Sequence, residues 1–173
     1  MSQRACIGLS SQAKWPACRD DFLAAYTSLL TDFAVDPKHI VFGGDSAGGG
    51  LVAMSALHAR RQGLPNPRGL LMVSPWLDLT LSRTLLSPAM YTDYVVEFTR
   101  GNPEIVKQLL PPGLSPNSHL VSPVFDDLAG LPPQLVLAGT AEVLLPDSEE
   151  WEQKSRTAGN EVKLIREDRQ MHM

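Results

Sequence analysis

The sequence predicts an α/β fold with a mostly parallel sheet flanked by helices. Short apolar runs alternate along the chain with segments of helical periodicity, the pattern of strands joined by helices. One of these runs, Leu70–Val73, is apolar at every position, which is typical of a strand covered on both faces. A Gly-x-Ser-x-Gly motif at Gly44–Gly48 separates another apolar run from a glycine- and alanine-rich helix. With 173 residues, 43% of them hydrophobic, the chain can bury one core, and we expect one domain.

The composition argues against several classes of protein. A net charge of −4 with scattered Lys and Arg does not favour nucleic-acid binding, which needs a basic surface. No apolar run is long enough to span a membrane and no leader peptide is recognisable, so we expect a cytoplasmic protein. Two cysteines, Cys6 and Cys18, are too few for a disulfide framework.

Three predicted elements surround the motif in the first part of the chain. A helix begins after Asp20 and Asp21. Its apolar face consists of Phe22, Tyr26, Leu29, Leu30 and Phe33. Asp36–Pro37 ends this helix, and Ile40–Phe42 is the strand that leads to the motif. A buried helix follows the motif and continues to Gly63.

The rest of the chain contains an irregular segment and three further elements. Residues 80–123 are rich in proline and lack clear periodicity apart from a short helix at Glu104–Leu110, which indicates an insertion or cap. Leu135–Leu137 predicts the next strand. Asp147–Ala158 predicts a charged and mostly exposed helix, and Glu161–Ile165 predicts a final strand.

Ser46 lies at the centre of the motif, between the strand and the buried helix. Strand, sharp turn and helix together form a nucleophile elbow, which holds the serine hydroxyl clear of the sheet. Gly44 and Gly48 flank the Asp45–Ser46 turn because, we expect, a Cβ at either position would collide with the neighbouring strand and helix. The helix that begins at Ala47 directs its unpaired N–H groups to the same place, so the Ala47 N–H is the expected oxyanion donor.

The run Phe42–Gly49, which reads FGGDSAGG, resembles the elbow of the hormone-sensitive-lipase-like branch of the α/β-hydrolases. That branch contains carboxylesterases and arylacetamide-deacetylase-like enzymes. Further segments resemble it in the same order: Trp15–Pro16 with the helix after it, Ser74–Asp78, and Leu131–Pro133 leading into Gly139–Ser148. The resemblance covers residues 15–173. It implies hydrolysis of small-molecule carboxylic esters through an acyl-enzyme, with no metal or organic cofactor.

A catalytic serine needs a histidine to take its proton and a carboxylate to orient that histidine. In this fold the acid follows the serine and precedes the histidine along the chain. Glu142 lies at the C-terminal end of the strand predicted at Leu135–Leu137, where open α/β sheets place functional groups, and is the expected acid. The branch usually carries Asp there. Asp147 is the alternative acid, and a helix-initiating role is the non-catalytic alternative for Glu142.

Four histidines are candidates for the base. His172 follows the last predicted strand, in a segment that resembles the branch's acidic stretch ending in Met-x-His. His39 precedes the motif strand at its far end, His58 lies about three turns into the following helix, and His119 lies in the insertion. We therefore expect His172 to be the base, the alternative being a disordered terminal residue without a role.

The resemblance also implies features that this sequence lacks. The branch usually has a His-Gly-Gly-Gly loop and further strands before the elbow, and the N–H groups of that loop form most of the oxyanion hole. We expect residues 1–173 to form a single, incomplete hydrolase domain whose strand at Ile40–Phe42 is an open edge that offers pairing to a second copy. The alternatives to an esterase are a weak or inactive small-molecule-binding relative and a fragment without function.

Overall fold

The computed structural model describes residues 15–94 and 103–172. Its helices are α1 (Ala17–Thr31), α2 (Ala47–Arg61), α3 (Pro103–Leu109) and α4 (Leu145–Thr157). Its strands are β1 (Val41–Asp45), β2 (Gly69–Val73), β3 (Gln134–Gly139) and β4 (Val162–Glu167). Every helix and strand expected from the sequence is present, with ends displaced by a few residues.

The four strands form one parallel sheet in the order β1-β2-β3-β4. Phe42 lies beside Leu70, and Leu137 lies between Val73 and Ile165. Because all strands run the same way, their C-terminal ends meet at one edge of the sheet. The predicted α/β fold is confirmed, and β1, β3 and β4 all end where the candidate site lies.

One face of this sheet is buried and the other is open. Phe42, Met72 and Val136 point to the helix-covered face and are at most 3% exposed. Val41 and Leu71 point to the opposite face and are 56% and 37% exposed. The expectation that Leu70–Val73 is covered on both faces is therefore wrong for the residues described, since helices cover only one side of β2 there.

Helix α4 is more buried than the sequence predicts. Trp151 is completely buried, and its indole N–H donates to the Gln134 side-chain oxygen at 2.7 Å. Asp147 and Glu150 also lie on the buried face. The expectation of a mostly exposed helix is wrong because polar side chains make up most of the face that α4 turns to the core, which leaves no strong apolar stripe.

The insertion between β2 and β3 packs against the C-terminal edge of the sheet. No strand forms within residues 80–94 and 103–123, which contain short helical turns and α3. Apolar side chains from this segment form a second core with Val143 and Leu144: Leu81, Ala89, Met90, Val106, Leu110 and Val121. The insertion therefore reaches the loop that carries Glu142, while its role as a cap stays a prediction.

Strand β1 lies at one end of the sheet. It pairs with β2, and no other strand of the described ranges pairs with its second edge. Association of two copies through this edge stays a prediction. None of the helices found within residues 15–94 and 103–172 has the length and apolar character needed to cross a bilayer.

Candidate active site

Ser46 is the single residue between β1 and α2, and its backbone is strained. Its φ of 53° and ψ of −121° lie in a region that residues with a Cβ rarely adopt. Three backbone hydrogen bonds hold it there: its N–H donates to Val73 at 2.8 Å, and its carbonyl accepts from Gly50 at 3.2 Å and Trp76 at 2.9 Å. The surrounding chain thus fixes the conformation that directs the hydroxyl away from the sheet.

The glycines of the elbow do not all serve the same purpose. A Cβ at Gly44 would overlap the backbone carbonyl of Gly48, so the expected collision is present at that position. A Cβ at Gly48 would meet nothing within 4 Å, so the expectation of a collision at that position is wrong. The other tight positions are Gly49, against Pro75, and Gly50, against the Trp76 carbonyl. Close packing of α2 on the sheet and on the segment after β2 therefore requires Gly44, Gly49 and Gly50.

The ring of His172 contacts the serine. Its Nε2 lies 2.9 Å from Oγ of Ser46, although the two residues are 126 positions apart. Both side chains are partly buried. The distance permits a hydrogen bond from the hydroxyl to an unprotonated Nε2, which is the arrangement that a general base needs.

The segment that carries His172 is fastened to the end of β3. The Gln170 carbonyl accepts from the Ala141 N–H at 3.0 Å, and the Thr140 hydroxyl accepts from the Arg169 N–H at 2.8 Å. A Cβ at Gly139 would overlap the Gln170 carbonyl. The absence of a side chain at Gly139 therefore lets this segment lie directly against β3, which places the imidazole over Ser46.

Glu142 is buried at the same end of β3, with 1% of its surface exposed. Its Oε2 accepts from the Ser74 hydroxyl at 2.6 Å and from the Gly139 N–H at 2.9 Å. Its Oε1 and Nδ1 of His172 are both buried, and neither has a hydrogen-bond partner among residues 15–94 and 103–172. The expected hydrogen bond between Glu142 and His172 is thus not formed in this structure, although each residue retains one unused atom.

Burial shifts the ionisation of both groups. It lowers the pKa of His172 below the usual 6.5, against the opposing charges of Asp93 and Asp45. The imidazole is therefore neutral at pH 7 and able to accept a proton. Burial raises the pKa of Glu142 above 4.5, whereas the hydrogen bonds from Ser74 and Gly139 oppose that rise.

The other three histidines differ from His172 in their exposure or in their place along the chain. His39 is exposed in the turn before β1, and His119 is exposed in the insertion. His58 is on α2, about 18 Å from Ser46 along the helix axis at a rise of roughly 1.5 Å per residue. Burial and the charges of Arg19 and Arg61 lower its pKa. His172 is the histidine whose ring contacts the candidate nucleophile.

Asp147, the alternative acid, has a different set of contacts. Its Oδ2 accepts from the N–H groups of Leu77 at 2.9 Å and Asp78 at 3.0 Å. Burial raises its pKa to about 7. This carboxyl group therefore connects α4 to the segment after β2.

Sequence reasoning gave no role to three residues that shape the site. Ser74 is completely buried and donates to Glu142, and Gly139 makes room for the His172 segment. Asp93, in the insertion, accepts from the Val143 N–H at 3.0 Å. A signal for Ser74 existed, because the Ser74–Asp78 segment belongs to the family resemblance.

Two further features concern the ligands that the site can hold. Ala47 is exposed at the first turn of α2, where N–H groups have no intrahelical partner. Its position fits an oxyanion donor. Across the described residues, no group of three or more His, Cys, Asp or Glu side chains is arranged to bind a metal ion.

Comparison with known proteins identifies the family of the chain. The model of the alpha/beta hydrolase fold family matches residues 8–173. The chain belongs to this family. An esterase from Acinetobacter venetianus is 35% identical over 154 residues, covering 89% of this chain and 50% of that esterase. An acetyl-hydrolase from Streptomyces hygroscopicus is 35% identical over 152 residues, covering 87% of this chain and 50% of that enzyme.

Solved structures place the chain within the same branch. An esterase of the bacterial hormone-sensitive lipase family superposes with a TM-score of 0.87 at 35% identity, covering 93% of this chain and 53% of that one. A hormone-sensitive lipase from a metagenome library gives a TM-score of 0.88 at 38% identity, covering 96% and 55%. The predicted resemblance is confirmed, and the chain spans about half the length of the relatives it matches.

Proposed function

We propose that this chain forms part of a serine carboxylic-ester hydrolase with Ser46, His172 and Glu142 as its triad. The observation that carries the proposal is the 2.9 Å contact between His172 Nε2 and Ser46 Oγ. The positive φ of Ser46 adds support, since strained serines at strand-to-helix turns are typical of nucleophile elbows. The relatives named esterase and acetyl-hydrolase suggest the ester class.

The reaction proceeds in two halves. His172 accepts the Ser46 proton while Oγ attacks the ester carbonyl carbon, and the oxyanion that develops lies at the N-terminus of α2 by the Ala47 N–H. The C–O bond to the alcohol then breaks, and the alcohol leaves with the proton from His172. Water, deprotonated by His172, attacks the acyl-enzyme, and collapse of the second intermediate releases the acid and returns the proton to Ser46.

Glu142 acts on His172 rather than on the ester. The imidazolium that forms during the reaction has a buried Nδ1–H, and Glu142 retains one buried oxygen without a partner. Ser74 and Gly139 hold the other oxygen, which fixes the carboxyl group at the end of β3. A rotation that joined the two unpartnered atoms would orient the ring and stabilise its charge.

The proposal is tested with a fluorophosphonate probe and a short-chain aryl ester such as p-nitrophenyl acetate. The probe should label the parent protein and fail to label Ser46→Ala, and ester hydrolysis should disappear in the same variant. Ser28→Ala is the matched control, since Ser28 donates to Asp32 on the exposed surface of α1. Labelling that persists in S46A would place the nucleophile elsewhere, and a folded parent that is never labelled would support a binding protein.

A further inference from the structure

Asp93 brings a buried carboxyl group from the insertion to the candidate site. Its side chain is 5% exposed, and Oδ2 accepts from the Val143 N–H at 3.0 Å. Val143 is completely buried and directly follows Glu142. The insertion therefore holds the loop of the triad acid through a side-chain contact.

The charges around His172 single out the same residue. Burial lowers the pKa of His172, and the negative charges of Asp93 and Asp45 oppose this by favouring the protonated form of the imidazole. Asp45 is exposed at the end of β1, whereas Asp93 is shielded from solvent, which weakens screening of its charge. Asp93 also disfavours the ionised form of Glu142, as one carboxyl group close to another does.

We propose that Asp93 is a positioning residue of the hydrolase, which holds the Glu142–Val143 loop in place and supplies a second negative charge to the His172 imidazolium. Its contribution is largest when His172 has taken the Ser46 proton, because a buried cation needs a nearby anion. Catalysis then depends on the insertion as well as on the sheet. The kinetic part of this inference rests on the proposed function.

The test is to measure the titration of His172 by NMR in this protein. The Cε1–H signal is assigned with His172→Gln and followed against pH in the parent and in Asp93→Asn. Asparagine keeps an oxygen for the Val143 N–H but loses the charge. We expect the midpoint of the His172 titration to fall by about 1 pH unit, the lower end of shifts caused by close opposite charges.

Asp127→Asn is the matched control. Asp127 also accepts one backbone N–H, from Ala129, but is exposed in the segment that joins the insertion to β3. Its substitution should leave the His172 titration unchanged. Asp93→Ser, which also lacks the charge and has a smaller side chain, replaces D93N if circular dichroism shows that D93N does not fold.

The kinetic readout follows from the same charge. The acidic limb of kcat/KM against pH should move to lower pH in D93N together with the NMR midpoint, and kcat/KM on the plateau should fall about tenfold, the factor that corresponds to one pKa unit. A His172 midpoint that is the same in D93N as in the parent would overturn the role of Asp93. If the parent is inactive, the NMR midpoints still decide that role, while the Ser46→Ala labelling decides the proposed function.

Discussion

The two sides of the candidate site are built by different means. On the nucleophile side, backbone packing fixes Ser46: three main-chain hydrogen bonds surround it, and the helix that follows lies in van der Waals contact with the sheet through glycines. On the acid–base side, His172 and Glu142 are held by loop contacts and side-chain hydrogen bonds at the end of β3. The first arrangement leaves no room for a Cβ at Gly44, Gly49 or Gly50, whereas the second depends on individual polar groups.

This difference predicts unequal responses to substitution. Steric changes at the elbow should abolish the site because the surrounding backbone cannot relax. Changes to the polar groups should reduce activity in steps, since each hydrogen bond contributes on the order of 1 kcal/mol.

Gly44→Ala should have the largest effect. Its Cβ would overlap the Gly48 carbonyl, so β1 and α2 would have to separate, at a cost of about 1–3 kcal/mol or more of folding free energy. Fluorophosphonate labelling should disappear and the unfolding temperature should fall. Gly48→Ala is the control for stability: its Cβ has open space, and alanine in a helix is favoured over glycine by up to about 1 kcal/mol. Equal unfolding temperatures for the two variants would contradict this account.

Gly139→Ala should separate the base from the nucleophile. The new Cβ would displace the Gln170 carbonyl and with it the segment that carries His172. We expect kcat to fall by about 10²–10⁴, the range over which positioned proton transfer contributes. The control is Gly43→Ala in β1, where a Cβ would only touch the Leu71 carbonyl at 4.0 Å. Normal kcat in G139A would show that the close approach of the two loops is not needed.

Ser74→Ala removes one of the two donors to Glu142 Oε2. The loss of this buried hydrogen bond should cost about 1–2 kcal/mol and lower kcat/KM about tenfold. The pKa of Glu142 should rise further, because the Ser74 hydroxyl opposes the rise caused by burial. Ser55→Ala is the matched control, as Ser55 is equally buried and its hydroxyl has no partner among the described residues. Equal kcat/KM in the two variants would contradict a role for Ser74.

Asp147→Asn should change the pH dependence of stability with the smallest effect on activity. The pKa of Asp147 is 3.8 when unfolded and about 7 when folded, so the folded state holds an extra proton between these values. Its contribution to the free energy of unfolding therefore falls as the pH rises from about 4 to 7. Asparagine can still accept from Leu77 and Asp78, and it does not titrate.

The difference in unfolding temperature between D147N and the parent, measured at pH 5 and at pH 8, isolates this contribution. Contributions from Glu142 and His172 cancel in the difference because both proteins contain them. We expect D147N to gain stability relative to the parent as the pH rises. A difference that does not change between the two pH values would show that Asp147 does not titrate in this range.

The nucleophile side was predictable from the sequence because its determinants are local. Strand, turn, serine and helix occupy consecutive residues, so Phe42–Gly49 alone indicates the geometry around Ser46. The error at Gly48 has a physical reason: a motif specifies residue types, whereas the direction of each missing Cβ depends on how the helix lies on the sheet. Gly44 and Gly48 therefore look equivalent in the motif, although only Gly44 lies where a Cβ would overlap neighbouring atoms.

The acid–base side was only partly predictable. Glu142 and His172 follow predicted strands and could be located by their order along the chain. The roles of Ser74, Asp93 and Gly139 could not be located in this way, because each acts on a residue from another part of the fold. Ser74 and Gly139 lie in segments of the family resemblance, but the sequence does not show which residue each of them contacts. The open face of β2 was missed for a similar reason, since an apolar strand does not reveal which of its faces is covered.

The parallel order of the strands has a consequence for the folding pathway. Each end of the sheet is a strand–helix–strand unit, β1-α2-β2 and β3-α4-β4, with contacts between elements close in sequence. The pairing of Leu71 with Leu135 must instead wait for closure of the long insertion, and such non-local steps are slow. Ser46 belongs to the first unit, and Glu142 and His172 to the second. A nascent chain would thus acquire the candidate nucleophile early and the candidate proton acceptor only when the two units dock. Reactivity of Ser46 towards a fluorophosphonate would then report the last step of folding.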